Sequence, residues 1–471
     1  MVESAGVWMP LGLAYLAGSL RRAGFDAEIY DAMSLFDDDA AVLARIVAAH
    51  ADVVGVTAHT ASVGAALRVL RAAKLASPRT VTVMGGVHPT FMADEVLADP
   101  AVDFVVRGEG EHALPELLAC LEANDDPAKV AGVSFRDGEG VHHAAQRPLH
   151  ADLDALPVAW DAIDWPAYHY RTKPGSRLAV TSWSRGCTER CSFCSQQLLW
   201  RHSWRGRSVD AIVAEATMLA DRFGVDTLEI ADEYPTNDRR RWEEILDRLI
   251  EADLGVELLV ETRAADIVRD EDILGKYREA GILHMYVGVE TPRQDRLDAM
   301  RKNLAAEESK RAIRLLNQAG IISETSFLLG FPDETPETIG QTLEAAFDYD
   351  PDLAFFIALT PWPYADLYAE VADLVEERDY SRYNLATPIA RSAEMSREEI
   401  GRAMGRCFGA FYARKMQRLD ALAPHKRAYL RSVTKLLMEE SYLAEEVAAS
   451  VGRPRATLPV TLAKEAPACP S

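Results

Sequence analysis

Cysteine is scarce: six in 471 residues, too few for the disulfide framework of a small secreted domain. Positive charge is in deficit as well. Lys and Arg total 51 against 73 Asp and Glu, a formal net charge of −22. Binding to a nucleic-acid backbone draws most of its free energy from cationic side chains, so no nucleic acid is expected as the main partner. No apolar run reaches the roughly 18 residues that a membrane-spanning helix needs, so no membrane span is expected. The opening MVESAGVWMP carries neither a basic n-region nor an apolar core, and the expected location is the cytoplasm. Two short stretches, 201–207 and 239–241, are rich in Arg and are read as solvated helix faces. Core material is plentiful, with 48% of residues hydrophobic, over a length that suits about three domains.

Three of the cysteines stand together in Arg185-Gly186-Cys187-Thr188-Glu189-Arg190-Cys191-Ser192-Phe193-Cys194. This CxxxCxxC spacing suits three irons of a cubane 4Fe-4S cluster, with the fourth iron left to a substrate or cofactor. A structural zinc site would more often read CxxC and need a second pair, which the chain lacks. Cys120, Cys407 and Cys469 are isolated, and packing or tail exposure explains them better than ligation.

From Pro10 to about Glu122 apolar strands alternate with amphipathic helices, with strands expected at 27–30, 53–58, 80–84 and 104–107. That alternation predicts a parallel α/β sheet with helices on both faces. Gly85-Gly86 and Gly108-Glu109-Gly110 follow two of the strands, where ligands of open α/β sheets bind. Residues 125–174, rich in Asp, Pro, Gly and His, read as a connecting segment with one strand-like stretch at 132–136. A second β/α series follows, with strands expected at 178–181, 227–230, 257–261, 284–289, 323–329 and 353–359. It predicts a partial (β/α)6 barrel with its chemistry at the carboxyl ends of the strands, where the cysteine loop falls. Residues 392–451 read as helical, with helices from Arg397 and from Lys426, and 452–471 as a disordered tail. The expected domains are therefore 1–124, 175–391 and 392–451.

With CxxxCxxC after the first of six barrel strands, the sequence resembles the radical S-adenosylmethionine enzymes. The preceding half, with GGVHPT at 85–90 and VRGEGE at 106–111, looks like the cobalamin-binding domain of one branch of that superfamily. Within the branch, CSFCSQQLLWRHSWR, IADEYPTNDRRRW, ETRAADIVRDEDIL, KRAIRLLNQAGI, TPWPYADLYAEV and DYSRYNLATPI are similar to the anaerobic magnesium-protoporphyrin IX monomethyl ester oxidative cyclases. The resemblance implies three cofactors: a 4Fe-4S cluster on Cys187, Cys191 and Cys194, S-adenosylmethionine, and cobalamin. It implies that Phe193 lies against the adenine of S-adenosylmethionine. Asp232, Glu233, Glu261 and Glu290, at barrel strand ends, are well placed for its ammonium and ribose hydroxyls, and Arg263 for its carboxylate. Cobalamin would rest on Gly85, Gly86, Gly108, Glu109 and Gly110, with Thr57 near the nucleotide tail and His88 beside it. The Asp-x-His-x-x-Gly motif for a lower cobalt ligand is missing, so His59 and His88 are read as loop residues rather than cobalt ligands.

The implied reaction is oxygen-independent oxidative cyclisation of a magnesium porphyrin ester to protochlorophyllide, in bacteriochlorophyll biosynthesis. Its electrons would come from a ferredoxin or flavodoxin. The planar substrate calls for aromatic walls, for which Trp200, Trp204, Trp362, Tyr364 and Tyr383 are candidates. The rival enzyme reading is a cobalamin-dependent radical methylase acting on an unactivated carbon or phosphorus. A non-catalytic cobalamin or iron-sulfur protein is disfavoured by the carboxylates at the barrel mouth. One departure stands out: nothing before Pro10 is apolar enough to form the first, central strand of a doubly wound sheet, so the reading frame is expected to extend upstream of Met1.

Overall fold

The computed structural model describes residues 6–439; Cys469, the far end of the helix expected from Lys426 and the tail from 452 lie outside the described residues. Two main sheets carry the fold. The first consists of β1 (Val53–Thr57), β2 (Val81–Gly85), β3 (Phe104–Val106), β4 (Val133–Asp137) and β5 (Gly140–His143), side by side in that order. β1, β2 and β3 run parallel, with Val53 opposite Val81 and Val83 opposite Phe104, as crossover helices require. β4 and β5 return antiparallel. The segment expected to be a linker therefore begins as part of this sheet. Its turn residues obscure a hairpin in which Val133 and Ser134 are fully buried. Residues 27–30, expected as a strand, form no ladder, because no strand lies beside them among the described residues; β1 is the outer strand.

The second sheet follows the sequence pattern closely. β6 (Leu178–Thr181) is followed by a separate short hairpin, β7 (Ser184–Gly186) with β8 (Trp204–Gly206). Then come β9 (Thr227–Ile230), β10 (Glu257–Arg263), β11 (Ile282–Glu290), β12 (Ile322–Leu329) and β13 (Leu353–Ala358). Six of these pair in parallel in the spatial order β13-β12-β11-β10-β9-β6, a partial barrel. Leu228, Ile230, Leu258, Val260, Met285 and Val287 face the surrounding helices and form the main core. The alternate positions, including Glu229, Glu261, Tyr286 and Glu324, therefore point inward.

The helices pack by the same logic. Asp238 caps the helix Arg239–Ala252 by accepting from the Arg241 amide at 3.1 Å, and Trp242, Ile245, Leu246 and Leu249 form its buried stripe. Arg241 is not on a solvated face: its guanidinium reaches the Trp183 carbonyl at 2.6 Å. Arg207 is likewise buried against Glu215 at 2.7 Å. Ser396 and Glu399 form a reciprocal cap on the helix Arg397–Gln417, whose Phe408 and Phe411 pack edge-on against Phe356 of β13. That helix covers the outer flank of the barrel. No helix among the described residues is long and apolar enough to cross a membrane.

The carboxyl ends of the two sheets face each other. Thr60, just past β1, bonds the Tyr364 hydroxyl beyond β13 at 3.0 Å. Phe91 stacks on the same ring at 4.7 Å, and Tyr380 donates to Glu95 at 3.1 Å.

Candidate functional site

The cysteine loop is slung between β7 and β8. Gly186 closes β7 with φ +101°, and an added Cβ would collide with the Ser203 carbonyl, so glycine is required there. Backbone contacts pin the loop: Cys194 N donates to the Cys191 carbonyl at 3.2 Å, and Ser192 N to that of Met300 at 2.9 Å. Gln197 adds a side-chain bond to the Cys191 carbonyl at 2.8 Å. All three cysteines are unpaired and half-buried. Burial pushes each thiol up, Cys194 to about 12, and a neighbouring cysteine adds to the effect at Cys187 and Cys194. Three thiolates crowded in this way are unfavourable alone and favourable on iron, which removes their protons outright, so the loop fits the cluster.

The expected S-adenosylmethionine residues divide into two groups. Asp232 is fully buried and accepts from the Trp183 amide at 2.8 Å and the Ser184 hydroxyl at 2.6 Å. It braces the start of the hairpin, and burial lifts its carboxyl to about 7. Its two oxygens are thus taken up within the protein. Glu233 also serves the hairpin, accepting from Gly186 N at 3.1 Å and from the Trp200 indole at 2.7 Å. Glu261 and Arg263 lie in the carboxyl-terminal part of β10, and Glu290 is the last residue of β11. Glu261 is half-buried, and its burial, with Glu233 and Glu324 nearby, raises its pKa. Arg263 pairs with Glu189 of the cysteine loop at 2.7 Å.

Glu290 takes the left-handed conformation at φ +64°, where β11 shifts register against β12. Such strain in a residue other than glycine is characteristic of functional sites. Its carboxylate meets Lys302 at 2.6 Å. A Cβ on Gly288 would sit 2.7 Å from Glu290 Oε1 and 2.9 Å from Lys302 Nζ, so that glycine makes room for the pair. Burial opposes the Lys302 charge, but Glu290 prevails and pushes its pKa up. The Lys302 ammonium lies 6.0 Å from the Phe193 ring centre. Sequence reasoning missed Lys302, which sits in a loop with no periodic pattern.

On the opposite wall, Thr57 and His59 are exposed at the end of β1. Desolvation by the surrounding protein nonetheless depresses the His59 imidazole. An added Cβ at Gly108, φ +76°, meets nothing within 4 Å, so its backbone borders open space. Gly86 is different: its Cβ would lie 2.6 Å from the Ala58 carbonyl, which makes it a tight turn. Gly85 ends β2, and Gly110 packs toward Leu16, 3.0 Å from where its Cβ would lie. His88 is fully buried, its Nδ1 bonded to Thr60 at 3.2 Å and its ring 5.0 Å from that of Tyr380. Burial lowers it to about 4. It faces packed side chains. Glu109 is also turned away, with its carboxylate held by Arg185 and Arg205. That side chain is therefore engaged within the protein.

Residues 1–118 match the B12 binding domain family and residues 181–346 the radical SAM superfamily. The chain is 36% identical over 449 residues to the anaerobic magnesium-protoporphyrin IX monomethyl ester cyclase of Rubrivivax gelatinosus, covering 93% of this chain and 80% of that protein. It belongs to this cyclase family. The cyclase of Cereibacter sphaeroides is 37% identical over 420 residues, 88% of this chain and 68% of the relative. In fold, the chain resembles the radical S-adenosylmethionine methyltransferase TsrM from Kitasatospora setae, solved with cobalamin and a [4Fe-4S] cluster. The TM-score is 0.65 at 21% identity, over 78% of this chain and 72% of that one.

The aromatic candidates of this cyclase-family chain separate by location. Tyr383 is 1% exposed and belongs to the core, its hydroxyl bonded to the Glu377 carbonyl at 3.2 Å. Trp204 lies behind the hairpin, donating to the Tyr234 carbonyl at 2.9 Å beneath Arg241. Trp200, Trp362 and Tyr364 stay half-buried past the strand ends, where an apolar ring system could lie against them.

Proposed function

We propose that this protein is the oxygen-independent cyclase that closes the fifth ring of magnesium-protoporphyrin IX monomethyl ester to give protochlorophyllide. The observation that carries the reading is the family match across nine-tenths of the chain, to a relative named for that reaction. Thr60 beyond β1 and Tyr364 beyond β13 meet at 3.0 Å, which supports a reaction using cofactors from both halves. Cys187, Cys191 and Cys194 hold the cluster, and Glu261, Arg263, Glu290 and Lys302 line the pocket for S-adenosylmethionine, with Phe193 against its adenine. When bound there, the cluster and S-adenosylmethionine would supply the radical chemistry for removing hydrogen from the propionate side chain, with water as the source of the ring oxygen. Thr57, Gly85, Gly86, Gly108 and Gly110 form the bed for cobalamin through their backbone and the one hydroxyl. A low-potential carrier such as a ferredoxin or flavodoxin delivers the electron.

The test is an anaerobic incubation of the reconstituted protein with cobalamin, reductant, S-adenosylmethionine and the porphyrin ester. A cyclase releases 5′-deoxyadenosine and methionine. Stoichiometric S-adenosylhomocysteine with a methylated porphyrin would overturn the reading in favour of a methylase.

A further inference from the structure

The hairpin that carries the cluster loop holds an unfavourable pair. Arg185 of β7 stands directly opposite Arg205 of β8 in the antiparallel register. Like charges in that position push strands apart, and the ladder between two three-residue strands is too short to offset that by itself. The counter-charges come from the other domain. Glu109 Oε1 accepts from Arg185 at 2.8 Å and its Oε2 meets Arg205 at 3.0 Å, so one carboxylate spans both arginines. Glu111 adds a second bond to Arg185 at 2.7 Å. His150 completes the group: its amide donates to Glu109 at 2.7 Å, its carbonyl accepts from Arg205 at 2.6 Å, and its ring lies 3.5 Å from Glu111. The two carboxylates and two guanidiniums are at most 14% exposed, and their formal charges balance.

The position of these glutamates gives the cluster of charges its meaning. Gly108, whose backbone borders open space, immediately precedes Glu109, and Arg185 lies two residues before Cys187. One short loop therefore presents backbone to the cobalamin side and carboxylates to the cluster side. We propose that Glu109 and Glu111 are positioning residues: they neutralise the Arg185–Arg205 pair, close the hairpin in register, and so fix the iron-sulfur cluster relative to cobalamin. This goes beyond the choice of substrate and would hold for a methylase as well. It rests on the three cysteines holding the cluster, and a wild-type chain that takes up no iron would refute that assignment instead.

The experiment uses the full chain, reconstituted anaerobically with iron, sulfide and cobalamin, as wild type, Glu109→Gln, Glu111→Gln, and Glu109→Gln with Arg205→Gln. Iron and cobalamin contents are measured, along with the electron paramagnetic resonance spectrum of the reduced cluster beside cob(II)alamin. Wild type should show spin–spin broadening between the two centres. Glu109→Gln should keep its cobalamin but lose the uniform broadening. The double variant, with one positive and one negative charge removed, should recover the broadening, which repair of general instability would not explain. Glu111→Gln, which leaves Glu109 bridging both arginines, should show a weaker form of the defect and keeps the test open if Glu109→Gln does not fold. Wild-type spectra in both single variants, a double variant no better than Glu109→Gln, or loss of cobalamin with the cluster signal intact would each overturn the proposal.

Discussion

Asp232 shows how a single carboxylate can look like a ligand in the sequence and act as a brace in the fold. It stands just past a barrel strand beside Glu233, and nothing local reveals that its partners, Trp183 N and Ser184 Oγ, arrive from about fifty residues earlier. Its pKa is raised from 3.8 to about 7, so the folded state holds a proton that the unfolded chain releases. This contribution to stability is present below pH 3.8 and is lost as the pH rises toward 7. The melting temperature of Asp232→Asn, relative to wild type, should therefore rise across that interval; a flat difference would show that the group does not titrate there. For the buried Lys302–Glu290 pair, Lys302→Met should destabilise the metal-free protein by about 3 kcal/mol, the usual result of stranding a buried charge. Lys302→Met with Glu290→Gln should recover much of that loss in urea unfolding. Cys191→Ala should lose both the cluster, measured as iron per chain, and S-adenosylmethionine cleavage.

Among the elements, those with a strong period were legible and those without one were not. The six barrel strands could be read because each has an apolar run bounded by turn residues, and their parallel pairing follows from the helices between them. β7 and β8 are three residues each, with an arginine at the centre, too short for any alternation to appear. Their pairing spans the cysteine loop and depends on carboxylates from another domain, which no local pattern records. The hairpin at 133–143 was partly visible as one strand-like stretch, but its Asp-Gly-Glu-Gly turn made the region read as linker. Gly186 links the hairpin to the cluster. Gly186→Ala would clash with Ser203 and force a left-handed conformation on alanine, so it should abolish iron incorporation while leaving the far-ultraviolet circular dichroism nearly unchanged. Normal iron content in that variant would mean that the loop folds without β7.

At the scale of the molecule, two sheets present their carboxyl ends to one another, with Tyr364 joining Thr60 and Phe91 across the gap. Each half could be recognised from its own glycines or cysteines. Their mutual placement could not, because it is set by single contacts between loops distant in sequence, such as Tyr380 to Glu95. The porphyrin site is the least legible part. Of five aromatic candidates, Tyr383 belongs to the core and Trp204 to the back of the hairpin, a distinction that depends on tertiary packing. For the proposed cyclase, water, not dioxygen or a methyl donor, supplies the new atom. The most direct measurement is an anaerobic turnover of the porphyrin ester in heavy-oxygen water, followed by mass spectrometry of the tetrapyrrole. The fifth ring should form with the heavy isotope in its ketone, together with 5′-deoxyadenosine. A tetrapyrrole that gains a methyl group and no heavy oxygen would contradict it.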